Sequence, residues 1–335
     1  MKQPIFLRPS FQERIWGGNQ LEKKYGYSIP SSNTGECWAI SAHPHGQSVV
    51  ASGDFAEKSL GELWGAYPEL FGHFQSDRFP LLTKILDAHD DLSVQVHPND
   101  EYADEFENGE LGKTECWYII DCNEDADIIY GHHAQSKEEF VELVEQEDWE
   151  GLLQRIKIKP GDFFYVPSGT IHALCKGTLV LETQQNSDTT YRVYDYNRIG
   201  QEGKLRDLHL DKAIDVTTIP HTAAKVEPAI AKTIGGSITT FVEDDYFTVY
   251  KWDITNSLAL TQEHYFTLVS VISGEGKLIS EDKEYPINFG DHFILPNEMH
   301  SFIIEGDIQL IASQPNSKGG RQREVAGTTR QVANV

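Results

Sequence analysis

Four polar side chains on strand-like segments are of the types that bind a divalent metal ion. Residues 92–97 read Leu-Ser-Val-Gln-Val-His, so Gln95 and His97 share one face of a strand. Glu115 begins a second strand-like run and His172 a third. On neighbouring strands of a barrel they would meet, and such mixed ligands suit zinc first, with manganese, iron or cobalt as alternatives. Taken singly, each residue is more often a structural or surface polar group than a ligand.

The rest of the pattern predicts the elements that would position these residues. Apolar, β-branched and aromatic runs recur between turns rich in glycine, aspartate, asparagine and proline. Many short strands at this spacing indicate a mainly β chain, built as a sandwich or barrel. The runs are Leu81–Asp87, Leu92–His97, Glu115–Asp121, Ile128–Gly131, Phe163–Val166, Leu179–Thr183, Phe247–Trp252, Tyr265–Ser273, His292–Leu295 and Ile308–Ser313.

Three segments predict short helices: Ser59–Phe71, Asp100–Asn108 and Ser136–Leu153. In the last of them, Ser136 followed by Glu139 forms a capping-box pattern ahead of an apolar stripe. The helices decorate the strands and do not alternate with them. A parallel, doubly wound sheet is therefore not expected.

A weak internal repeat links the two halves of the chain. Residues 160–167 read Pro-Gly-Asp-Phe-Phe-Tyr-Val-Pro and precede His172, while residues 289–296 read Phe-Gly-Asp-His-Phe-Ile-Leu-Pro and precede His300. Each copy reads as a turn, a strand, a turn and a strand that begins with histidine. The two copies predict two related β-barrels.

This repeat suggests a division of the chain. We expect an N-terminal metal-binding barrel with helical insertions over 1–220 and a smaller C-terminal barrel over 240–315. The proline-containing segment Ile214–Thr240 is the best place for the link. The polar end, 316–335, lacks periodicity and is expected to be a loose tail.

The second barrel is expected to lack a metal. It carries Gln262-Glu263-His264 and it keeps His300. However, the strand Phe266–Ser273 contains no carboxylate where the counterpart of Glu115 would lie. Three neutral ligands make a poorer divalent site, so polar residues satisfied by their neighbours are the better interpretation.

The composition limits the partners. With 28 Lys and Arg against 52 Asp and Glu, the net charge is −24, which repels nucleic acid and anionic lipid. An anionic small substrate would need a local cluster of Lys and Arg.

No run approaches the ~20 apolar residues of a membrane span, and residues 1–18 contain no signal-peptide core. We expect a cytoplasmic monomer or weak homodimer whose four cysteines are buried or free thiols.

Several of these segments, in order along the chain, resemble type I mannose-6-phosphate isomerases in their short bacterial form. The resemblance implies a double cupin fold with helical insertions. It also implies one zinc ion per chain, with Mn²⁺ or Co²⁺ as possible substitutes, bound by Gln95, His97, Glu115 and His172. The matching segments are Glu13–Gly18, Gly35–Trp38, Leu82–Leu86, Leu92–Asn99, Gly112–Trp117, Pro160–Leu174 and Glu182–Arg192.

The resemblance also implies a reaction. Interconversion of mannose 6-phosphate and fructose 6-phosphate moves a proton between C2 and C1, through a cis-enediol. This needs an electrophile, a proton carrier and a cationic clamp for the phosphate. The family's catalytic arginine falls on Arg192, whose permanent charge suits an enediolate or a phosphate. The alternative is a structural arginine that pairs with Asp188 or Glu182.

Two lysines and one carboxylate are further candidates for the chemistry. Lys84 interrupts an apolar run, where a charge is unexpected. Lys113 lies two residues before Glu115. Either lysine could bind phosphate or transfer a proton, although a lone lysine is ordinarily solvated. Glu182 is the candidate for a carboxylate near the catalytic base position.

Two residues are candidates for contact with the sugar phosphate. Ser93 lies two residues before Gln95, on the same strand face, and could donate a hydrogen bond to phosphate. Trp16, followed by Gly17-Gly18, resembles an aromatic wall at the mouth of the site. A core tryptophan beside a turn is an equally good interpretation.

Two other functions stay open at this stage. One is a cupin isomerase or epimerase that acts on another sugar phosphate. The other is a cupin that binds sugars without catalysis. The complete ligand set together with Arg192 argues against the second, because a protein that only binds sugar has no need of every ligand.

Overall fold

A computed structural model describes residues 2–200, 203–262 and 265–317. Strands dominate this part of the chain, as predicted. The first fifteen are β1 (Ile5–Arg8), β2 (Ser10–Gly18), β3 (Thr34–Ile40), β4 (Ala42–His43), β5 (Gly46–Gln47), β6 (Val49–Val50), β7 (Leu81–Ala88), β8 (Val94–Val96), β9 (Glu115–Cys122), β10 (Asp127–His132), β11 (Leu153–Lys157), β12 (Phe163–Val166), β13 (His172–Leu174), β14 (Thr178–Gln185) and β15 (Tyr191–Tyr194). The others are β16 (Ala229–Thr233), β17 (Gly236–Glu243), β18 (Phe247–Ile254), β19 (Ser257–Thr261), β20 (Thr267–Ser280), β21 (Lys283–Asn288), β22 (His292–Leu295) and β23 (Ser301–Pro315).

The helices are short, and the three predicted ones exist with different ends. They are α1 (Gln20–Tyr25), α2 (Leu60–Ala66), α3 (Asp100–Phe106), α4 (Lys137–Glu145), α5 (Trp149–Leu152) and α6 (Leu210–Val216), with a 3₁₀ turn over Pro68–Phe71. Ser59 and Glu62 form a complete capping box at the start of α2. The continuous helix predicted up to Phe71 is wrong, because Pro68 has no N–H to extend it.

The predicted helix Ser136–Leu153 is also interrupted. The backbone of Glu147 adopts a positive φ of 55°, which ends the first helix. Asp148 then caps a new turn by accepting a hydrogen bond from the N–H of Gly151 at 2.9 Å. Leu153, expected to end the helix, begins strand β11 instead.

Two facing sheets form the first barrel. One has the order β11-β10-β13-β8-β15, and the other has the order β12-β9-β14-β7-β3-β2. Alternation along the strands divides their side chains between two cores. In β9, Trp117 and Ile119 face the interior, whereas Cys116 and Tyr118 face the outer layer. Polar residues that share the parity of Trp117, such as Glu115, are thereby directed between the two sheets.

A larger sheet forms the C-terminal part. Its order is β16-β17-β18-β23-β20-β22-β1-β6, with β19 paired to β23 and β21 paired to β20. The interior is filled with apolar side chains, among them Trp252, Val269, Phe293 and Leu310, each at most 5% exposed. It is a packed core.

The first strand of the chain belongs to this C-terminal sheet. Ile5 of β1 pairs with Ile294 of β22, and Leu7 pairs with Val50 of β6. One apolar cluster continues from the outer face of the six-stranded sheet into the large sheet, joining residues such as Ile85 and Phe247. The two halves therefore share strands and a core.

The predicted link between the barrels contains regular secondary structure at both of its ends. The predicted link contains the end of α6, all of β16 and most of β17, so a connection without secondary structure is confined to residues 217–228. Of the predicted tail, Asn316 donates to the backbone oxygen of Asp244 at 2.6 Å, whereas 318–335 lie outside the described residues. Among the helices that are described, none has the length and apolar character needed to cross a bilayer.

Candidate metal centre and adjoining cavity

The four predicted ligands come from three strands of the first barrel and the turn after one of them. Gln95 lies in β8 and pairs in register with His172, the first residue of β13. His97 follows β8 directly, and Glu115 begins β9 on the opposite sheet. The structure brings His97, Glu115 and His172 together, with one ligand atom from each within 4.8 Å of the others.

The two histidines are held in the tautomer that a metal requires. Nδ1 of His97 donates to the carbonyl oxygen of Thr189 at 2.9 Å, and Nδ1 of His172 donates to that of Thr170 at 2.8 Å. A carbonyl can only accept, so each Nδ1 carries the hydrogen and each Nε2 has a free lone pair in the neutral ring. Burial lowers the pKa of both histidines, that of His97 to about 3, and keeps them neutral.

Glu115 supplies the negative charge of the site. Its side chain is fully buried, and Nε2 of His97 and His172 lie 3.4 and 3.3 Å from its two oxygens. Neither oxygen accepts a well-aligned hydrogen bond from the described residues. A buried carboxylate is costly unless a cation compensates its charge, and the ammonium of Lys113 lies 2.9 Å from one of the two oxygens. Two neutral imidazole rings and one carboxylate that converge in this way form a donor set that fits a divalent ion.

Gln95 can complete the set. Its terminal amide lies 3.3 Å from Nε2 of His172. A half-turn of the amide exchanges its nitrogen for its oxygen at that point, and only the oxygen can be a ligand. The predicted fourth ligand is therefore within reach of the other three.

Lys113 lies directly against the ligands. Its Nζ is 2.9 Å from an oxygen of Glu115 and donates to Nε2 of His97 at 3.1 Å. Burial on its own lowers the pKa of Lys113, but the nearby carboxylates of Glu115 and Glu182 outweigh it and raise the pKa. The lysine is thus a buried, positively charged group beside the metal position.

A cavity of about 300 Å³ opens beside this centre. Its wall carries five cationic side chains and three carboxylates, in a protein whose net charge is −24. Such a local positive excess attracts a small anion. The predicted residues Trp16, Lys84, Ser93, Gln95, Lys113, Glu182 and Arg192 all line it.

Lys84 and Glu182 face each other across neighbouring strands. They are register partners in β7 and β14, and Nζ of Lys84 lies 3.8 Å from Glu182 and 4.0 Å from Glu36. Burial lowers the pKa of Lys84 in spite of these carboxylates. Burial and the charge of Glu115 raise the pKa of Glu182, although Oε2 of Glu182 accepts a hydrogen bond from Trp117 at 2.9 Å.

Arg192 extends into the cavity from β15, opposite Gln95 in register. Its Nη1 donates to the carbonyl oxygen of Asp207 at 2.7 Å, while its buried Nε has no partner among the described residues. The pairing with Asp188 or Glu182 that the sequence left open is not among its contacts in this part of the chain. Asp188 instead contacts His45, at 2.6 Å.

Four further charged or aromatic residues of the lining, Arg14, Glu36, Trp38 and Arg206, were not predicted from the sequence, and Asp188 was predicted only as a possible partner of Arg192. Arg14 forms a two-pronged ion pair with Glu36, at 2.9 and 3.2 Å, and Trp38 donates to the same carboxylate at 2.5 Å. The signal was present in β3, where Glu36 and Trp38 alternate with small or apolar residues. A charge on the inner face of such a strand points to an interior site.

A second cluster joins His43, His45 and Asp188, of which Asp188 lines the cavity. Nδ1 of His43 accepts from the backbone N–H of His45 at 3.2 Å, so its hydrogen lies on Nε2, facing Asp188. A protonated nitrogen cannot bind a metal. This cluster is therefore better suited to holding Asp188 in place than to binding an ion.

Fold and site together define a class of protein. A two-sheet β-barrel with a buried His-Glu-His set, open to a cationic cavity, is typical of cupin enzymes and contains a candidate metal centre. Comparison with known families agrees. Residues 5–120 match the model of the phosphomannose isomerase type I catalytic domain, and residues 237–315 match that of the mannose-6-phosphate isomerase cupin domain.

Individual relatives cover almost the whole chain. The mannose-6-phosphate isomerase ManA of Bacillus subtilis is 56% identical over 93% of this chain and 98% of its own length. That of Streptococcus mutans is 52% identical, over 94% and 99%. A crystal structure of the Bacillus subtilis mannose 6-phosphate isomerase aligns with a TM-score of 0.92 at 58% identity, over 93% and 99%. The chain belongs to the type I phosphomannose isomerase family, and the predicted double cupin fold is confirmed.

Proposed function

We propose that the chain interconverts mannose 6-phosphate and fructose 6-phosphate, with a cis-enediol intermediate and a resident divalent metal ion. Family membership at 52–58% identity over nearly the full chain supports the reaction. The observation that carries the metal is the buried centre of His97, Glu115 and His172, in which both Nε2 atoms and the carboxylate are directed at one point.

Gln95, His97, Glu115 and His172 would hold the ion, and zinc is our first choice because it favours imidazole together with carboxylate oxygen. When bound, the ion supplies a Lewis acid next to the sugar oxygens. The surrounding barrel contributes a dry, rigid wall, since Glu115 and both histidines are at most 1% exposed.

The other residues divide the proton chemistry among them. Glu182 has a raised pKa and is our candidate for the base that carries the proton between C1 and C2. Lys113 keeps its proton and can donate to the oxygen that becomes negative. Arg192 offers a permanent charge to the same enediolate, through an Nε that no described residue occupies.

Three residues are proposed to bind the sugar phosphate. Trp16, 5% exposed, forms an apolar wall of the cavity. Lys84 lies over the ring of Trp38, 4.8 Å from its centroid, and faces the sugar with its ammonium. Ser93 lies two residues before Gln95 and supplies a hydroxyl to the same cavity. The cytoplasmic location and the monomeric or weakly dimeric state stay predictions.

The test is a coupled isomerase assay with mannose 6-phosphate before and after treatment with EDTA. Activity should be lost with the chelator and return with zinc, manganese or cobalt, and the metal that is present stoichiometrically in the protein as purified identifies the resident ion. Lys113→Met should lower kcat by about 10²–10⁴-fold. Its control is Lys277→Met, since Lys277 lies on the surface of the second barrel and pairs with Glu284 at 2.7 Å.

Two outcomes would redirect the proposal. Bound metal with turnover of a different sugar phosphate, in a panel that includes glucose 6-phosphate, would keep the centre and change the substrate. A folded protein that binds no divalent ion and is equally active with EDTA would remove the metal from the mechanism.

A further inference from the structure

The cations that line the cavity are not equally neutralised. Arg14 is paired with Glu36, Lys84 lies between two carboxylates, and Lys113 is paired with Glu115. The remaining two cations, Arg192 and Arg206, are different. Among the described residues Arg192 forms no ion pair, and Arg206 has only a shared one.

The carboxylate that Arg206 shares is Asp195, which is 4% exposed. Nη1 of Arg206 lies 3.3 Å from Oδ1 of Asp195, and the same oxygen binds Arg198 more closely. One carboxylate thus serves two guanidinium groups, with Arg192 close by. This leaves positive charge in excess on one wall of the cavity.

The electrostatics of the two arginines agree with this geometry. Burial and the neighbouring charge of Arg192 lower the pKa of Arg206 to about 10. Burial also lowers the pKa of Arg192, with Arg198 adding to the effect. Like charges held together in a partly buried wall are relieved when an anion binds between them.

We propose that Arg206 binds the phosphate group of the substrate, with Arg192 between that group and the metal ligands, and that Asp195 positions Arg206. This rests on the proposed function. The strand register and the element order support this arrangement. Arg192 is the register partner of the ligand Gln95, whereas Arg206 lies on the segment between β15 and α6. Two guanidinium groups present planar forks to phosphate oxygens, which a lysine cannot do.

This assignment makes Arg206 a specificity residue. The uncharged end of free mannose would leave the excess positive charge unbalanced, so the site should discriminate strongly for the phosphorylated sugar. The phosphate is remote from C1 and C2 and keeps its charge through the reaction. Its binding is therefore uniform, and its loss should appear in KM more than in kcat.

The experiment compares Arg206→Gln with the wild-type holoenzyme. KM for mannose 6-phosphate should rise about 10- to 100-fold with kcat within about threefold of wild type. The inhibition constant of inorganic phosphate should rise in parallel, and any slow turnover of free mannose should not change. Arg206→Lys should fall between the two, because it keeps the charge and loses the fork. Asp195→Asn, which loosens Arg206, should also raise KM more than it lowers kcat.

The matched control is Arg155→Gln, which removes one positive charge outside the cavity, where Arg155 pairs with Asp127 at 3.0 Å. If a folded Arg206→Gln enzyme kept its KM and phosphate inhibition within about twofold of wild type, the proposal would be wrong. Should that variant lose stability, Arg206→Lys replaces it, because it keeps a positive charge beside Asp195. A KM for Arg206→Lys within about twofold of wild type would then contradict the proposal. If wild type did not isomerise mannose 6-phosphate, the proposed function would fail. Calorimetric binding of inorganic phosphate to both proteins would still judge Arg206.

Discussion

The interiors of the two related barrels differ in the kind of side chain that fills them. In the first barrel, the space between the sheets holds buried Glu115, His97, His172, Lys113 and Glu182. In the second, the corresponding space is filled by tryptophan, phenylalanine and aliphatic side chains. Burying charge opposes folding unless partners or ligands compensate, whereas burying apolar surface favours it. The first interior is organised for chemistry and the second for stability.

The pairing register shows how closely the two barrels correspond. Val166 pairs with Glu115 in the first repeat, and the equivalent Leu295 pairs with Thr267 in the second. Thr267 thus takes the position of the carboxylate and donates to Gln262 at 2.5 Å. His172 is buried, whereas its counterpart His300 is exposed. The two barrels therefore carry different residues at equivalent positions, and the position of the carboxylate in the first is taken by a threonine in the second.

Removal of each of the two equivalent histidines should have the largest effect. His172→Ala should lose metal binding and lower kcat/KM by at least about a thousandfold, because the Lewis acid is worth several kcal/mol. His300→Ala should retain both, since its side chain is exposed and lies outside a strand. Metal content by mass spectrometry and the coupled assay check both. Equal losses in the two variants would contradict the assignment of metal binding and catalysis to the first barrel.

A second comparison uses two equivalent phenylalanines. Phe293 is fully buried in the second interior, while Phe164 of the first is only partly buried. Phe293→Ala should lower the free energy of unfolding by about 3–5 kcal/mol, from lost burial plus a cavity, and Phe164→Ala by clearly less. Thermal unfolding of the two variants measures the difference. A larger loss at Phe164 would mean that the first interior carries the stability.

A smaller effect, on the pH dependence of stability, is expected from His292. This residue lies at the junction of the halves and contacts Ser270 and Tyr27, each at 2.8 Å. Burial lowers its pKa from 6.5 to about 3. Since the unfolded chain takes up a proton below pH 6.5 and the folded one does not, stability is complete above pH 6.5 and falls as the pH drops towards 3. The loss is about 1.4 kcal/mol per pH unit.

Chemical denaturation between pH 7 and 5 tests this expectation in wild type and in His292→Gln. The free energy of unfolding of the variant should fall less steeply with decreasing pH, by about 1.4 kcal/mol per pH unit, which corresponds to one proton. Identical slopes would show that the pKa of His292 is the same in the folded and unfolded chains, and would contradict the expectation.

Much of the fold and the centre could be read from the sequence because the signals were local. Alternation placed Gln95 and His97 on one face of a strand, and their residue types limited the chemistry. The fold class and the family are confirmed. The roles of the individual residues, the identity of the ion and the domain boundaries stay predictions.

The rest could not be read because it depends on contacts between distant segments. Arg206 lies in a connection without a repeating pattern, and nothing local places it near Arg192 and Asp195. The break in the helix at Glu147 depends on one backbone conformation that a helical hydrophobic pattern does not encode. Glu36 was readable in principle, but its partners Arg14 and Lys84 come from other strands.

The pairing of Ile5 with Ile294 also has a consequence for synthesis. The ribosome releases the first strand early, but its partner emerges about 290 residues later, which at ordinary elongation rates is about 15 to 60 s. During that interval β1 can pair with β6, through Leu7 and Val50, while the edge of β1 that pairs with β22 has no partner. The pairing of β1 with β22 therefore waits until the C-terminal half has been translated.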